Sequence, residues 1–266
     1  MSSEEEPLSQ ASGGSVAVIA DAHLGGPGGE AAPLVAQLLA VPERGCRRLV
    51  LLGDLFQGWV GFRRFETPQI AAVAAALRRL RGAGVRIDYV EGNRDFFLDR
   101  GPYADCFDVV VREVAFTAGG TRFLAVHGDG LDRRDRQYRF WRRASKSAVS
   151  RLVISKTPRA LARRLVWRTE ARLSRTNLEH KRQIPRDVLV DYGARRLAEG
   201  HDVLLLGHFH EERRWPVAGG LVWLLPAWFD TRRTVWLPED VPAPAAVSAI
   251  PPAEVSATPP AAEPGG

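Results

Sequence analysis

Two aspartates, one asparagine and four histidines in this 266-residue chain share a setting: each follows a short apolar run, and most stand beside a glycine. Asp21 and His23 follow VAVIA (16–20), Asp54 follows RLVLLG (48–53), and Asn93 comes just after VRIDYV (85–90) and Gly92. His127 closes TRFLAVH (121–127), and His208 and His210 follow VLLLG (203–207). Carboxylate, imidazole and amide oxygen together suit a borderline or hard divalent ion such as Mn²⁺, Fe²⁺ or Zn²⁺, and no thiolate set accompanies them. A single histidine is usually a structural residue. Four of the chain's six, interleaved with two Asp and an Asn, do not fit core packing. Seven ligands exceed the needs of one tetrahedral ion and serve two ions with one ligand shared. Two ions ~3.5–4 Å apart clamp the attacking and leaving oxygens of an in-line phosphoryl displacement and lower the pKa of a bound water.

Such ligands must be carried to one place by the elements before them. The runs at 16–20, 48–53 and 85–90 read as buried strands, alternating with helical patterns at 33–40 and 67–81. That alternation predicts an α/β core, with ligands gathered at the rim where strands end. After residue 108 the pattern changes. VVVREV, the Gly119-Gly120 turn and TRFLAVH read as antiparallel strands, and 131–200 reads as mainly helical, broken at Pro158 and Pro185. VLLLG reads as another buried strand, and RRWPVAGGLVWLLPAWF as a hairpin turning at Gly219-Gly220. Residues 1–14, acidic and then Ser/Gly-rich, and 239–266, rich in Pro and Ala, carry too few large apolar side chains to offset ordering entropy. The folded domain is therefore expected over 15–238, with an inserted helical cap over about 131–200.

Bulk properties narrow the setting. No apolar run approaches the ~18 residues of a spanning helix, and the polar start MSSEEEPLSQ is unlike a secretory leader, so a cytoplasmic protein is expected. Cys46 and Cys106 make no disulfide framework and read as two reduced thiols. The net charge of +6 conceals an uneven distribution: from Arg133 to Arg186 stand 18 Lys and Arg against Asp135, Glu170 and Glu179, so the rest of the chain is net acidic. A block this basic points to an anionic partner or to a solvated helical face. Tyr138, Phe140, Trp141 and Trp167 lie among its arginines, a pattern that suits an anionic bilayer surface or the packing of cap on core.

The ordered motifs DAH (21–23), GD (53–54), GNRD (92–95), HGD (127–129) and GHFH (207–210) resemble those of the calcineurin-like metallophosphoesterases, across roughly residues 16–238. The resemblance implies a four-layer αββα sandwich. It also implies one metal on Asp21, His23 and His210, another on Asn93, His127 and His208, and Asp54 as the bridge. Most of that superfamily carries a His after the ligand Asn; here Arg94 stands there. An alkoxide leaving a phosphate ester benefits from an acid. A phosphate leaving an anhydride needs little proton help but adds charge, which a guanidinium neutralises well. Arg94 therefore points to a diphosphate substrate, unless it serves as a structural partner of Asp95.

Longer strings, GDLFQGWVG (53–61), GNRDFFL (92–98) and HGDGLDRRDRQY (127–138), resemble the UDP-2,3-diacylglucosamine diphosphatases of lipid A biosynthesis. That resemblance implies two Mn²⁺ ions, and cleavage of UDP-2,3-diacylglucosamine to UMP and 2,3-diacylglucosamine 1-phosphate. It implies peripheral attachment to the cytoplasmic face of a bacterial inner membrane, with the helical insertion receiving the acyl chains. Catalytic roles would fall to Asp54, Asn93, Arg94 and His127. Substrate contacts would come from Asn93, Arg94, Asp135, Tyr138, Asn177, Lys181 and His208, with Arg182 beside them. The chain departs from the family's GHTH and Ala-Trp-His patterns at Phe209 and Phe229. Other readings are a phosphodiesterase or nuclease of the same superfamily, disfavoured by the missing His after Asn93, a hydrolase of another nucleotide-diphosphate compound, and a non-catalytic scaffold, disfavoured by seven filled ligand positions.

Overall fold

Side-chain parity along the strands explains the layers. In the computed structural model, which describes residues 15–25, 30–131, 136–158, 160–161, 164, 186–217 and 219–241, the first strands are buried on both faces, as parallel strands between two covering layers must be. Strands β1 (Val16–Ile19), β2 (Arg48–Leu51), β4 (Arg86–Val90) and β6 (Val109–Val111) run parallel, and β12 (Val235–Leu237) closes the β1 edge antiparallel, giving the order β12-β1-β2-β4-β6. Ala17, Ile19, Leu49, Leu51, Ile87 and Tyr89 face helices α1 (Ala31–Ala40) and α2 (Pro68–Gly82). The alternate residues Val16, Val18, Val50 and Val90 face a second sheet.

That second sheet has the order β10-β11-β9-β8-β7, from β7 (Glu113–Ala118), β8 (Thr121–Val126), β9 (Val203–Leu206), β10 (Arg213–Val217) and β11 (Gly220–Leu224). Phe123, Ala125, Val203, Leu205, Leu221 and Trp223 meet the first sheet. Leu124, Leu204, Leu206, Val222 and Leu224 turn outward onto Leu189 and Leu197 of a helix at Arg186–Ala198, called α5 here. Helices, sheet, sheet and helix make the four expected layers.

Local signals set the helix that backs the first sheet. Thr67 caps α2 by accepting from the Ile70 amide at 3.2 Å, and Pro68 supplies a preset φ at its first turn. Ile70, Val73, Ala74, Leu77 and Leu80 form its buried stripe. Truncating fully buried Leu77 to Ala should cost about 2–5 kcal/mol.

Three details depart from the sequence expectations. VVVREV is not one antiparallel strand: 109–111 pairs parallel with β4, and the chain then leaves for the other sheet, where β7 pairs antiparallel with β8. A two-stranded pairing of β3 (Trp59–Val60) with β5 (Asp95–Phe96) was invisible to periodicity because each strand is two residues long. Strand β12 was likewise not anticipated. The hairpin of β10 and β11 and the antiparallel pair β7–β8 are as expected.

Within the expected insertion, α3 (Arg136–Ser145) and α4 (Ala148–Lys156) precede α5. Ser147 caps α4 by accepting from the Ser150 amide at 3.2 Å. Among the described residues, no helix is long and apolar enough to cross a membrane.

Candidate metal centre

The parallel strands of both sheets deliver their carboxyl ends to one rim. Asp21 follows β1, Asp54 follows β2, Asn93 follows β4, His127 follows β8, and His208 and His210 follow β9. Asp21, His23, Asp54, His208 and His210 all have positive φ, between 45° and 70°. That region is costly for residues bearing a Cβ and persists only where the surroundings hold it. Two glycines permit the close approach beneath them. A Cβ on Gly53 would stand 2.6 Å from the Gly92 nitrogen and 2.7 Å from His127 Nδ1, and one on Gly92 would strike the Asp54 carboxylate.

Two clusters of ligand atoms result, Asp21 with His23 and His210, and Asp21 with Asp54 and His127. His23 Nε2 lies 2.9 Å from His210 Nε2, and these nitrogens are 3.6 and 3.5 Å from Asp21 Oδ1. Asp21 is common to both, and Asp54 of the second also approaches the first: its Oδ2 is 4.0 Å from His23 Nε2, and its Oδ1 is 3.7 Å from His127 Nε2. The imidazole of His208 stacks edge-on to that of His127 at 5.3 Å, and the His208 amide donates to Asp21 Oδ2 at 2.7 Å. Asn93 stands between Gly92 and Arg94, both against Asp54.

The lone pairs are set for ligation. His127 Nδ1 is 2.8 Å from the Leu52 carbonyl, which can only accept, so Nδ1 carries a proton and Nε2 is the nitrogen left to face the cluster. Asp21 Oδ1, Asp54 Oδ2, Asn93 Oδ1 and His127 Nε2 are buried with no hydrogen-bond partner among the described residues. Buried polar atoms left this way are costly unless something binds them. Their chemistry, oxygen and imidazole nitrogen without thiolate, fits divalent ions.

Electrostatics favour the charged carboxylates. Burial pushes the Asp21 carboxyl up, but the close imidazoles of His210 and His23 outweigh it and hold the group well below the usual range. Burial likewise opposes ionisation of Asp54, and the imidazoles of His127 and His23 bring it below normal. Asp95 behaves differently: burial and the neighbouring charge of Asp54 raise it to about 7. Its Oδ2 accepts from the amides of Asp54 (3.0 Å) and Gly92 (2.8 Å), tying two ligand loops together.

Arg94 is buried, with Nε 3.4 Å from Asp54 Oδ2 and Nη1 on the Gln57 side chain. Its guanidinium faces Asp54 and Gln57, while Asp95 Oδ2 accepts from backbone amides. Phe229 meets His23 and His210 edge-on at 5.6 and 5.0 Å, on a short helix (Trp228–Thr231) held by the Phe229 amide donating to the Asp21 carbonyl at 3.1 Å.

Four neighbours escaped the sequence reading: Asp129, Arg142, Lys146 and Glu91. Arg142 reaches Asp129 at 2.5 Å, and Lys146 donates to the Gly92 carbonyl at 2.8 Å, with Glu91 at 3.5 Å. The aspartates of HGD and GNRD could have flagged Asp129 and Asp95 as supports; nothing local marks Lys146. Asp135, Asn177, Lys181 and Arg182 lie outside the described residues, as does the side chain of Tyr138.

No family model matches the chain. It is 32% identical over 232 residues to a UDP-2,3-diacylglucosamine hydrolase of Ralstonia nicotianae, covering 81% of this chain and 84% of that protein. A UDP-2,3-diacylglucosamine hydrolase of Pseudomonas putida is 30% identical over 196 residues, covering 70% of this chain and 80% of its own. Among solved structures, phosphopantetheinyl hydrolase from Mycobacterium tuberculosis is similar at 18% identity and a TM-score of 0.42, covering 87% of this chain and 98% of its own.

Proposed function

The chain belongs to the UDP-2,3-diacylglucosamine hydrolase family, and from that membership we propose that it hydrolyses the pyrophosphate bond of UDP-2,3-diacylglucosamine, releasing UMP and 2,3-diacylglucosamine 1-phosphate. The observation that carries this reading is the meeting of two ligand clusters at Asp21, with Asp54 of the second 4.0 Å from His23 of the first and a buried guanidinium 3.4 Å from Asp54.

In this proposal Asp21, His23 and His210 hold one ion, Asn93, His127 and His208 hold the other, and Asp54 joins them. Two bound divalent ions supply Lewis acidity toward phosphoryl oxygens and an activated water. Mn²⁺ is proposed because the donors are oxygen and imidazole nitrogen. The protein's own groups do the rest. Leu52 fixes the tautomer of His127. Asp95 holds the loops of Asp54 and Asn93 in register. Arg94, in place of an acid, neutralises charge that builds on the departing phosphate. Cleavage of an anhydride suits this arrangement, since its leaving group needs charge compensation more than a proton.

A diacylated substrate resides in a bilayer, so peripheral attachment at the cytoplasmic face of the inner membrane belongs to the proposal. The basic block at 133–186 supports it. The helical insertion over about 131–200 is proposed to receive the acyl chains, with Asp135, Tyr138, Asn177 and Lys181 contributing substrate contacts.

The test is hydrolysis of UDP-2,3-diacylglucosamine in detergent by Mn²⁺-loaded protein beside Asp54→Ala, with bis(p-nitrophenyl) phosphate as a second substrate. UMP release that requires both Mn²⁺ and Asp54 is expected. Turnover of the model diester without the lipid would keep the metal chemistry and reject the substrate.

A further inference from the structure

A second anion-binding feature lies apart from the ligand residues. A cleft of about 590 Å³ opens where the turn after β3 meets the end of α4, lined by Phe62, Arg63, Arg64, Pro102, Lys156 and Pro158. Three cations and no carboxylate face it. Among the described residues, none of the three takes part in an ion pair. Arg64 Nη1 donates to the Thr157 carbonyl at 2.6 Å, so the two walls are joined by a polar contact.

The helix that supplies Lys156 is apolar on the same side. Val149, Leu152, Val153 and Lys156 recur at i, i+3, i+4 and i+7, one stripe of a 3.6-residue period. The three apolar members are 72%, 60% and 64% exposed. Exposed apolar side chains scattered singly need no explanation, but a stripe running into a cationic cleft has the outline of an amphiphile. Hydrocarbon would lie along Val149, Leu152 and Val153, and an anionic group would sit between Arg63, Arg64 and Lys156.

We propose that this cleft binds the phosphodiester headgroup of an anionic glycerophospholipid in the bilayer, with the α4 stripe entering the acyl region beside it. None of its lining residues is a candidate metal ligand, so the site is separate from the one that cleaves the substrate. The proposal deepens the membrane attachment put forward above and rests on that reading for its occupant. A basic residue near an anionic surface contributes on the order of 1 kcal/mol, and apolar insertion adds to it.

The test is sedimentation of the full, Mn²⁺-loaded chain with vesicles of phosphatidylglycerol or of phosphatidylcholine. Wild type should prefer phosphatidylglycerol. The exposed-residue pair Arg63→Glu with Lys156→Glu should weaken that binding by about tenfold or more, and Leu152→Ser with Val153→Ser should weaken it without changing the lipid preference. Bis(p-nitrophenyl) phosphate turnover reports that each variant is folded and metal-loaded. Equal binding of wild type to the two vesicle types, or unchanged phosphatidylglycerol binding by the charge-reversed variant, would overturn the proposal. Binding of inorganic phosphate that the charge reversal abolishes, without vesicle binding, would give the cleft to a free anion and also overturn it. Lipid-substrate hydrolysis in detergent is read separately: its loss with vesicle binding intact removes the enzymatic reading, and the converse removes the headgroup site alone.

Discussion

His23 and His210 are 187 residues apart in the chain, yet their Nε2 atoms lie 2.9 Å from each other and within 3.6 Å of the same Asp21 oxygen. One belongs to the loop after β1 of the first sheet, the other to the loop after β9 of the second. The folded rim thus assembles donors from two sheets around a space suited to a cation.

That assembly predicts strong linkage between metal and fold. Chelation should lower Tm, and Mn²⁺ at about a hundredfold over its Kd should add roughly 2.7 kcal/mol of stability. His210→Ala should weaken the Mn²⁺ effect and leave the metal-free Tm nearly unchanged. Scanning calorimetry with chelator and with Mn²⁺ checks both. A Tm insensitive to every divalent ion would contradict the cluster's role.

Gly92 makes a sharper test of geometry. A Cβ there would strike the Asp54 carboxylate, whereas one on Gly58 would meet nothing within 4 Å. Gly92→Ala should reduce Mn²⁺ affinity by at least about tenfold, while Gly58→Ala should not, as read by titration calorimetry on folded protein. The expected penalty of about 1–3 kcal/mol is that of overpacking a filled site.

Arg94 should separate two kinds of substrate. Arg94→Lys keeps the charge and loses the fork that reaches both Asp54 and Gln57. Turnover of the diphosphate should fall about 10- to 100-fold, matching a charged hydrogen bond of roughly 1.5–3 kcal/mol, with a smaller loss on the model diester. Equal losses on both substrates would make Arg94 a general structural support.

A fourth prediction concerns acid stability at the opposite end of the second sheet. Asp202 accepts from the Arg122 amide at 2.8 Å and from its guanidinium at 3.0 and 2.7 Å. The Arg122 hydrogen bond holds the Asp202 carboxyl below its usual 3.8. A group depressed in the folded state contributes stability above its unfolded pKa and loses it as pH falls through the folded value. The pair is solvent-exposed, so the effect is small. Asp202→Asn should lower Tm slightly at pH 6–7, and the difference from wild type should shrink as pH drops below about 4.

Much of this was legible because ligands sit where strands stop. Runs such as VAVI and VLLL are buried on both faces, so they read as uninterrupted apolar segments, and the next polar residue marks the rim. The crossing of the chain between sheets at Arg112 was not legible. VVV and EVAFTA are both strand-like, and only their partners tell them apart. Lys146 was hidden for a related reason. It is one of many basic residues in its segment, and its value comes from a carbonyl 54 positions earlier. Phe229 stood out only as a departure from a motif; its contact with two imidazoles is set by the four-residue helix Trp228–Thr231 after β11, too short for any periodicity to report.

The two contacts made by α3 and the turn after it have a mechanical meaning. Asp129 belongs to the loop leaving β8 of the second sheet, and Gly92 to the loop leaving β4 of the first. Arg142 grips one and Lys146 the other, so a span of five residues ties the two sheets together across the rim that carries both ligand clusters. Residues 142–146 thereby act as a brace between the sheets. Any force that shifts this helix relative to the sandwich is applied to the Asn93 and His127 loops at once, and changes the separation between donors from different sheets. By reciprocity, tight metal loading must stiffen the brace by the same free energy with which the brace favours loading.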